Sequence, residues 1–168
     1  PEALANRDAA YREGNRIMFD DMSEHFDQKM LWKLGYQGHL HLRTLAERVM
    51  STAVPPLRLL DLGCGTGLVG ETFSDWAAGG RLDGIDLSPR MIEAARARGV
   101  YDDLILGDLE KILSEPGPVY DLVLSADTMV YFGDLSAILS GIAKRLEPGG
   151  AFLFAVERME GENMEGEG

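Results

Sequence analysis

Leu59-Leu60-Asp61-Leu62-Gly63-Cys64-Gly65-Thr66-Gly67 is the stretch on which the fold turns. Its first half is an apolar run too short for a buried helix, and its second half sets glycine at alternate positions before a helical apolar pattern over 68–77. Glycine at 63, 65 and 67 removes the Cβ atoms that would hold a ligand off the backbone and permits positive φ, so a loop with exposed amides is expected. A helix N-terminus beginning near Gly67 adds partial positive charge suited to a carboxylate or phosphate. Asp61 is the distinguishing element, because a carboxylate at a strand's end can hold the loop's own amides and face a cationic part of a ligand. Cys64, flanked by two glycines and with no base near it in sequence, reads as a small packing residue and not as a nucleophile.

Outward from this loop, further short apolar runs at 81–86, 104–106, 120–125 and 151–156 alternate with helix patterns. The pattern over 89–98 has Ser88 as N-cap, Pro89 in the first turn and Gly99 at the C-terminal position; a third, through Leu135, Ile138, Leu139, Ile142 and Leu146, stops at Pro148-Gly149-Gly150. The segment 109–113 is a weaker helix. Alternation of this kind implies parallel strands joined by helical crossovers, an α/β fold whose ligands collect beyond the carboxyl ends of the strands. Acids stand at those ends. Asp86 follows Gly67 by nineteen residues, a spacing suited to a carboxylate that accepts hydrogen bonds from both hydroxyls of a ribose. Asp108 could accept from an exocyclic adenine amine while Leu109 packs on the ring, or could simply cap the next helix.

Before the loop, Phe19, Met22, Phe26, Met30 and Leu34 recur at helical steps and form a face that must cover something. A second stripe, Leu42, Leu45 and Val49, ends before Pro55-Pro56. Three parts result: an N-terminal helical lid, 1–52; a core, 53–157; and a Gly/Glu-rich end, 158–168, too charged to order itself. His39 and His41 lie on different helical faces and read as surface residues, not a metal pair; Trp32 with Tyr36 reads as core.

The 168 residues are 45% apolar and carry a net charge of −12, which fits one globular unit and sets a repulsive field against nucleic acid. A single cysteine rules out an intramolecular disulfide and a cysteine-cluster metal site, and agrees with a cytoplasmic location. No run approaches the roughly 20 apolar residues of a membrane span, and the start Pro1-Glu2-Ala3-Leu4 lacks a signal-peptide layout. A soluble chain is expected, and the missing initiator Met points to a fragment.

Asp61-Leu-Gly-Cys-Gly-Thr-Gly, Gly84-Ile-Asp86-Leu-Ser-Pro-Arg-Met, Gly107-Asp108-Leu109, Tyr120-Asp121-Leu-Val-Leu and Leu146-Glu-Pro-Gly-Gly, in this order, resemble the class I S-adenosylmethionine-dependent methyltransferases over residues 53–157. The resemblance implies a Rossmann-like core that binds S-adenosylmethionine and releases S-adenosylhomocysteine. It places the methionine portion on the loop with Asp61, Gly63, Cys64, Gly65 and Gly67, the ribose on Asp86 beside Leu87 and Met91, and the adenine on Asp108 and Leu109. Ser125 and Ala126 would lie near the methionine end. The stretch from His25 to Tyr36 is similar to the entry of a bacterial subgroup of methyltransferases, some with tetratricopeptide repeats, although no repeat is present here.

Two departures bear on these expectations. The family usually adds two strands after the fifth, and none is legible here, so either that segment has been lost or the open edge is covered otherwise. The fourth run continues into Ser125-Ala126-Asp127-Thr128, not the Asn/Asp-Pro-Pro-Tyr/Phe loop of many amino-methylating members acting on nucleic acid. A small-molecule acceptor attacking the methyl group by direct displacement is the expected chemistry, and alignment with exclusion of water supplies much of the rate. Asp127, Tyr131 and His25 are the nearest base candidates, each read more readily as a packing or orienting group, and no catalytic residue is assigned. The main rival is an NAD(P)-dependent oxidoreductase, since Gly65-Thr66-Gly67-Leu68-Val69-Gly70 satisfies G-x-G-x-x-G; Asp61 weighs against it by opposing a pyrophosphate. A non-catalytic scaffold that binds the same cofactor is the third reading.

Overall fold

The computed structural model describes residues 2–52 and 55–156, with side chains from residue 10 onward. The acidic end, 158–168, expected to be mobile, lies outside the described residues.

Five strands, β1 (Arg58–Leu62), β2 (Arg81–Asp86), β3 (Asp103–Leu106), β4 (Tyr120–Ala126) and β5 (Leu146–Ala155), form one parallel sheet in the order β3-β2-β1-β4-β5. Helices α1 (Glu2–Met22) and α2 (Gly38–Val49) precede the sheet, and α3 (Leu68–Ala77), α4 (Pro89–Arg98), α5 (Leu109–Ser114) and α6 (Ser136–Arg145) make the crossovers. This is the Rossmann-like α/β order, in which β1 and β4 leave in opposite directions and open a crevice at their carboxyl ends.

Strand alternation divides the core. Leu59, Leu82, Leu122 and Leu124 pack under α2 and α3 with Leu42, Ala46 and Phe73, while Leu60, Leu62, Ile85 and Val123 pack on the other face against α5 and α6. The α4 boundaries follow the sequence signals, with the Ser88 side chain accepting from the Met91 amide at 3.1 Å and Gly99 left-handed at φ 67°.

Several expectations give way. The stripe from Phe19 to Leu34 does not continue on one α-helix: a 3-10 turn (Ser23–His25) and a π-helical turn (Gln28–Lys33) shift the phase. Leu34 is therefore 63% exposed and Trp32 86% exposed, so Trp32 is not core. On α2 the buried face is Leu42 with Ala46, and Leu45 and Val49 face out; His39, expected at the surface, is only 8% exposed because α2 lies down on α3 and β5. Leu146 opens β5 instead of closing α6. The Pro148-Gly149-Gly150 turn is absorbed as an irregularity inside that strand, between the pairings Tyr120 with Leu146 and Leu122 with Ala151. Among the described residues no helix is long and apolar enough to cross a membrane.

Candidate functional site

A cavity of about 230 Å³ opens where β1, β2 and β4 end, roofed by the N-terminal helical segment. Of the residues singled out in the sequence, Gly63, Cys64, Gly65, Asp86, Leu87, Met91, Asp108 and Leu109 line it. Asp61, Gly67 and Ser125 do not.

The glycine loop is held by its own chain. The amides of Gly63 and Cys64 donate to the Ile85 carbonyl at 2.8 and 3.0 Å, Gly65 donates to Asp86 Oδ2 at 2.8 Å, and Gly67 donates to the Cys64 carbonyl at 2.8 Å. The expected exposed amides are thus largely spent internally, and what the glycines provide is space and backbone freedom. At Gly63, with φ 69°, a Cβ would stand 2.1 Å from Thr128 Oγ1; at Gly65, with φ 53°, it would meet nothing within 4 Å.

Asp61 lies behind the loop, fully buried, and does not face the cavity as the sequence led one to expect. Its Oδ2 accepts from the Tyr101 hydroxyl at 2.7 Å, and its Oδ1 has no hydrogen-bond partner. Burial raises its pKa to about 7, against the Tyr101 hydrogen bond, which lowers it; the nearby Asp86 charge raises it further. Tyr101 went unnoticed in the sequence. It occupies a slot cleared by three glycines: a Cβ at Gly70 would stand 2.3 Å from its ring and hydroxyl, at Gly84 2.9 Å, and at Gly67 3.0 Å. Gly67 therefore serves packing, with Tyr101 and Arg98 filling the place of its side chain. Ser125 is also fully buried and donates to the Leu62 carbonyl at 3.2 Å, which ties β4 to β1 beneath the cavity floor.

Asp86 is the polar centre of the lining. Its Oδ1 accepts from the Ser88 amide and its Oδ2 from Gly65, both at 2.8 Å, so its position is fixed while each oxygen retains a lone pair. Burial raises its pKa, and the Ser88, Gly65 and Leu87 amides pull it back. Asp108 accepts from the Lys111 amide at 3.2 Å as the cap of α5, and its other oxygen takes Arg12 at 2.6 Å. Of the two roles weighed for it from sequence the cap is present, and the residue also lines the cavity. Cys64 is buried and its thiol pKa is raised by burial and then by Asp61, which suits packing.

The N-terminal segment is tied to this rim at three places. Arg12 reaches Asp108 and, at 2.9 Å, Glu110. Asp20 accepts from the Ser88 hydroxyl, and Asp27 accepts from the Thr66 hydroxyl and pairs with Arg98. Phe19, Met22, Phe26 and Met30 face the cavity, as their spacing implied, and Phe19 meets Tyr131 edge-on at 5.3 Å. Arg12 and Asn15 were missed, although they continue the same stripe toward the N-terminus at helical steps. Tyr36, expected in the core, lines the cavity, as do Asp127 and Tyr131; His25 is exposed and away from it. Among the described residues no group of acids, histidines or cysteines could hold a metal ion.

Residues 59–150 match a family described as a methyltransferase domain. The malonyl-[acyl-carrier protein] O-methyltransferase of Serratia marcescens is 33% identical over 115 residues, covering 67% of this chain and 44% of that protein. The ubiquinone biosynthesis O-methyltransferase of Xanthomonas axonopodis pv. citri is 32% identical over 132 residues, covering 74% and 54%. Among solved structures, SAM-bound CalS10, an amino pentose methyltransferase from Micromonospora echinaspora, superposes with TM-score 0.62 at 26% identity over 77% of this chain and 57% of its own. The chain spans about half, or less, of the length of the curated relatives it matches.

Proposed function

The chain belongs to the class I S-adenosylmethionine-dependent methyltransferases, and on that premise we propose that its cavity holds S-adenosylmethionine and that the protein transfers the methyl group to a small-molecule acceptor. The observation that carries the proposal is Asp86, anchored through both oxygens at the crevice where the strand order reverses, with apolar Leu87, Met91 and Leu109 beside it and Asp108 across the same cavity. That combination fits a ribosyl adenine: a fixed carboxylate with spare lone pairs for two hydroxyls, apolar faces for the ring, and a second acceptor for an amine. The open space at Gly65 leaves room for the amino acid part.

When bound, S-adenosylmethionine supplies a methyl group on a cationic sulfur, activated toward displacement. The protein's share is alignment and dryness. Asp86 and Asp108 fix the orientation of the cofactor, Gly65 lets its backbone-facing end approach, and Phe19, Phe26, Met30 and Tyr131 keep water from the space where the acceptor meets it. The N-terminal segment acts as a lid, closed by the contacts of Arg12, Asp20 and Asp27 with the rim. Asp61 and Tyr101 support the loop from behind and do not touch the cofactor.

The test is incubation of the protein with methyl-tritiated S-adenosylmethionine and a mixed cell extract. Label in the small-molecule fraction is the expected result. Label confined to nucleic acid, or none in any fraction from protein that binds the donor, contradicts the proposal.

A further inference from the structure

Helix α1 spans the roof of the cavity from α5 to α4. At one end Arg12 pairs with Asp108, the N-cap of α5, and with Glu110 in its first turn; at the other Asp20 accepts from the hydroxyl of Ser88, the N-cap of α4. Asn15 stands between these ties, three residues or about 4.5 Å along the helix from Arg12. The spacing of Arg12, Asn15, Phe19 and Met22 puts all four on one helical face, and all four line the cavity.

Asn15 differs from its neighbours on that face in having polar groups that are still unspent. Phe19 and Met22 bring apolar surface, and the Arg12 guanidinium is engaged by Asp108 at 2.6 Å and Glu110 at 2.9 Å. Across the cavity Asp86 already holds the Gly65 and Ser88 amides. No hydrogen bond joins the Asn15 carboxamide to another described residue, and the residue is only partly buried, so its acceptor and two donors are open to whatever fills the cavity. Helix propensity does not favour asparagine at such a position, since its side chain competes for the backbone.

The cofactor reading puts a base beside Asp108 and Leu109 and a ribose at Asp86, and this is the interval that Asn15 overlooks from the lid. A planar carboxamide matches the edge of adenine that carries N7 and one hydrogen of the 6-amino group, and the second hydrogen of that amine remains for Asp108. We infer that Asn15 is a specificity-determining residue that reads the N7 edge of the cofactor's adenine from the lid, donating to N7 and accepting from the 6-amino group. This rests on the reading of the cavity as an S-adenosylmethionine site. The base is then recognised from the core by Asp108 and from the lid by Asn15, and because Arg12, Asp20 and Asp27 tie the same segment to the rim, lid closure is linked to the presence of adenine.

S-adenosylhomocysteine and its 7-deaza analogue, in which a C–H group replaces N7, are titrated calorimetrically into the wild-type protein, Asn15→Ala and Asn15→Asp. Wild type is expected to bind the 7-deaza analogue at least about fivefold more weakly than S-adenosylhomocysteine. Asn15→Ala should lose about tenfold in affinity for S-adenosylhomocysteine and bring the two ligands within about twofold of each other. Asn15→Asp, which keeps an acceptor for the amine but has no donor for N7, should close the gap as well. A residue that merely supported the lid would weaken both ligands alike and leave their ratio intact. Thermal unfolding of the ligand-free variants at the wild-type midpoint verifies that they are folded; if neither folds, the wild-type ratio decides. Equal binding of the two ligands by wild type, or an undiminished ratio in a folded variant, overturns the inference while the cofactor reading stands. Failure of S-adenosylhomocysteine itself to bind wild type overturns both.

Discussion

The Tyr101 hydroxyl donates to Asp61 Oδ2 at 2.7 Å through a slot where Gly67, Gly70 and Gly84 leave no side chains in its way. The contact joins the segment before β3 to the end of β1 and lies directly behind the glycine loop, so a buried polar pair that does not line the cavity supports the loop. On the opposite face Asp83, also buried, takes the Tyr120 hydroxyl at 2.7 Å and Arg81 at 2.6 Å. Two strand acids thus each accept from a tyrosine through one oxygen, one per face, while the other oxygen of each has no hydrogen-bond partner.

Tyr101→Phe removes the one side-chain donor that reaches the buried Asp61 carboxylate. The expected loss of stability is about 1–3 kcal/mol in urea unfolding, the cost of a buried acceptor without a partner. Gly70→Ala should cost at least as much, because its Cβ would stand 2.3 Å from the Tyr101 hydroxyl and ring. Wild-type stability in both variants would remove the pair from the account.

Asp61 also predicts a pH dependence. Its pKa rises from 3.8 to about 7 in the folded protein, so between those values the folded state binds more protons than the unfolded state. Stability conferred by the protonated form is complete below the unfolded pKa and is lost as pH rises through the folded one. The stabilising effect of Asp61→Asn relative to wild type should therefore be larger at pH ~8 than at pH ~5, by up to about 3 kcal/mol. A difference that does not change with pH would mean that the carboxylate is not destabilised by burial.

Gly63→Ala drives a methyl group to within 2.1 Å of Thr128 Oγ1 at a residue with φ 69°. The expected outcome is a loss of roughly 2 kcal/mol or more and at least about tenfold weaker S-adenosylhomocysteine binding. Gly133→Ala, where nothing lies within 4 Å and φ is not positive, is the control and should leave both unchanged.

The lid contacts should govern dynamics more than stability. Arg12 is about one-third exposed, so Arg12→Ala should cost no more than about 1 kcal/mol. Hydrogen exchange across residues 10–34 should nevertheless accelerate, and more strongly in Asp27→Ala, which removes the segment's contacts with both Thr66 and Arg98. Exchange equal to wild type in both variants would show that these pairs do not hold the segment down.

Much of this was legible in the residues because it is local. Strand runs, the Ser88 cap, the strand-end acids Asp86 and Asp108 and the stripe from Phe19 to Met30 are set by neighbours within a few positions. What failed was non-local. Tyr101 carries no pattern of its own, and only three glycines from three separate elements betray its place. Asp61 was read as facing a ligand because a strand-end carboxylate usually does, whereas here the strand's alternation turns it toward α3. Trp32 was misjudged because a π-helical turn altered the helical phase, and no signal in the residues announced that turn. Arg12 was visible as part of a stripe, but its pairing with Asp108 depends on how α1 crosses the sheet.

The most direct measurement is calorimetric titration of S-adenosylhomocysteine, and separately of NAD, into the wild-type protein and Asp86→Ala. S-adenosylhomocysteine is expected to bind wild type and to lose about 100-fold or more in Asp86→Ala, since two hydroxyls lose their acceptor and the Gly65 and Ser88 amides lose theirs. Binding of NAD in place of S-adenosylhomocysteine, or an affinity indifferent to Asp86, would contradict the account.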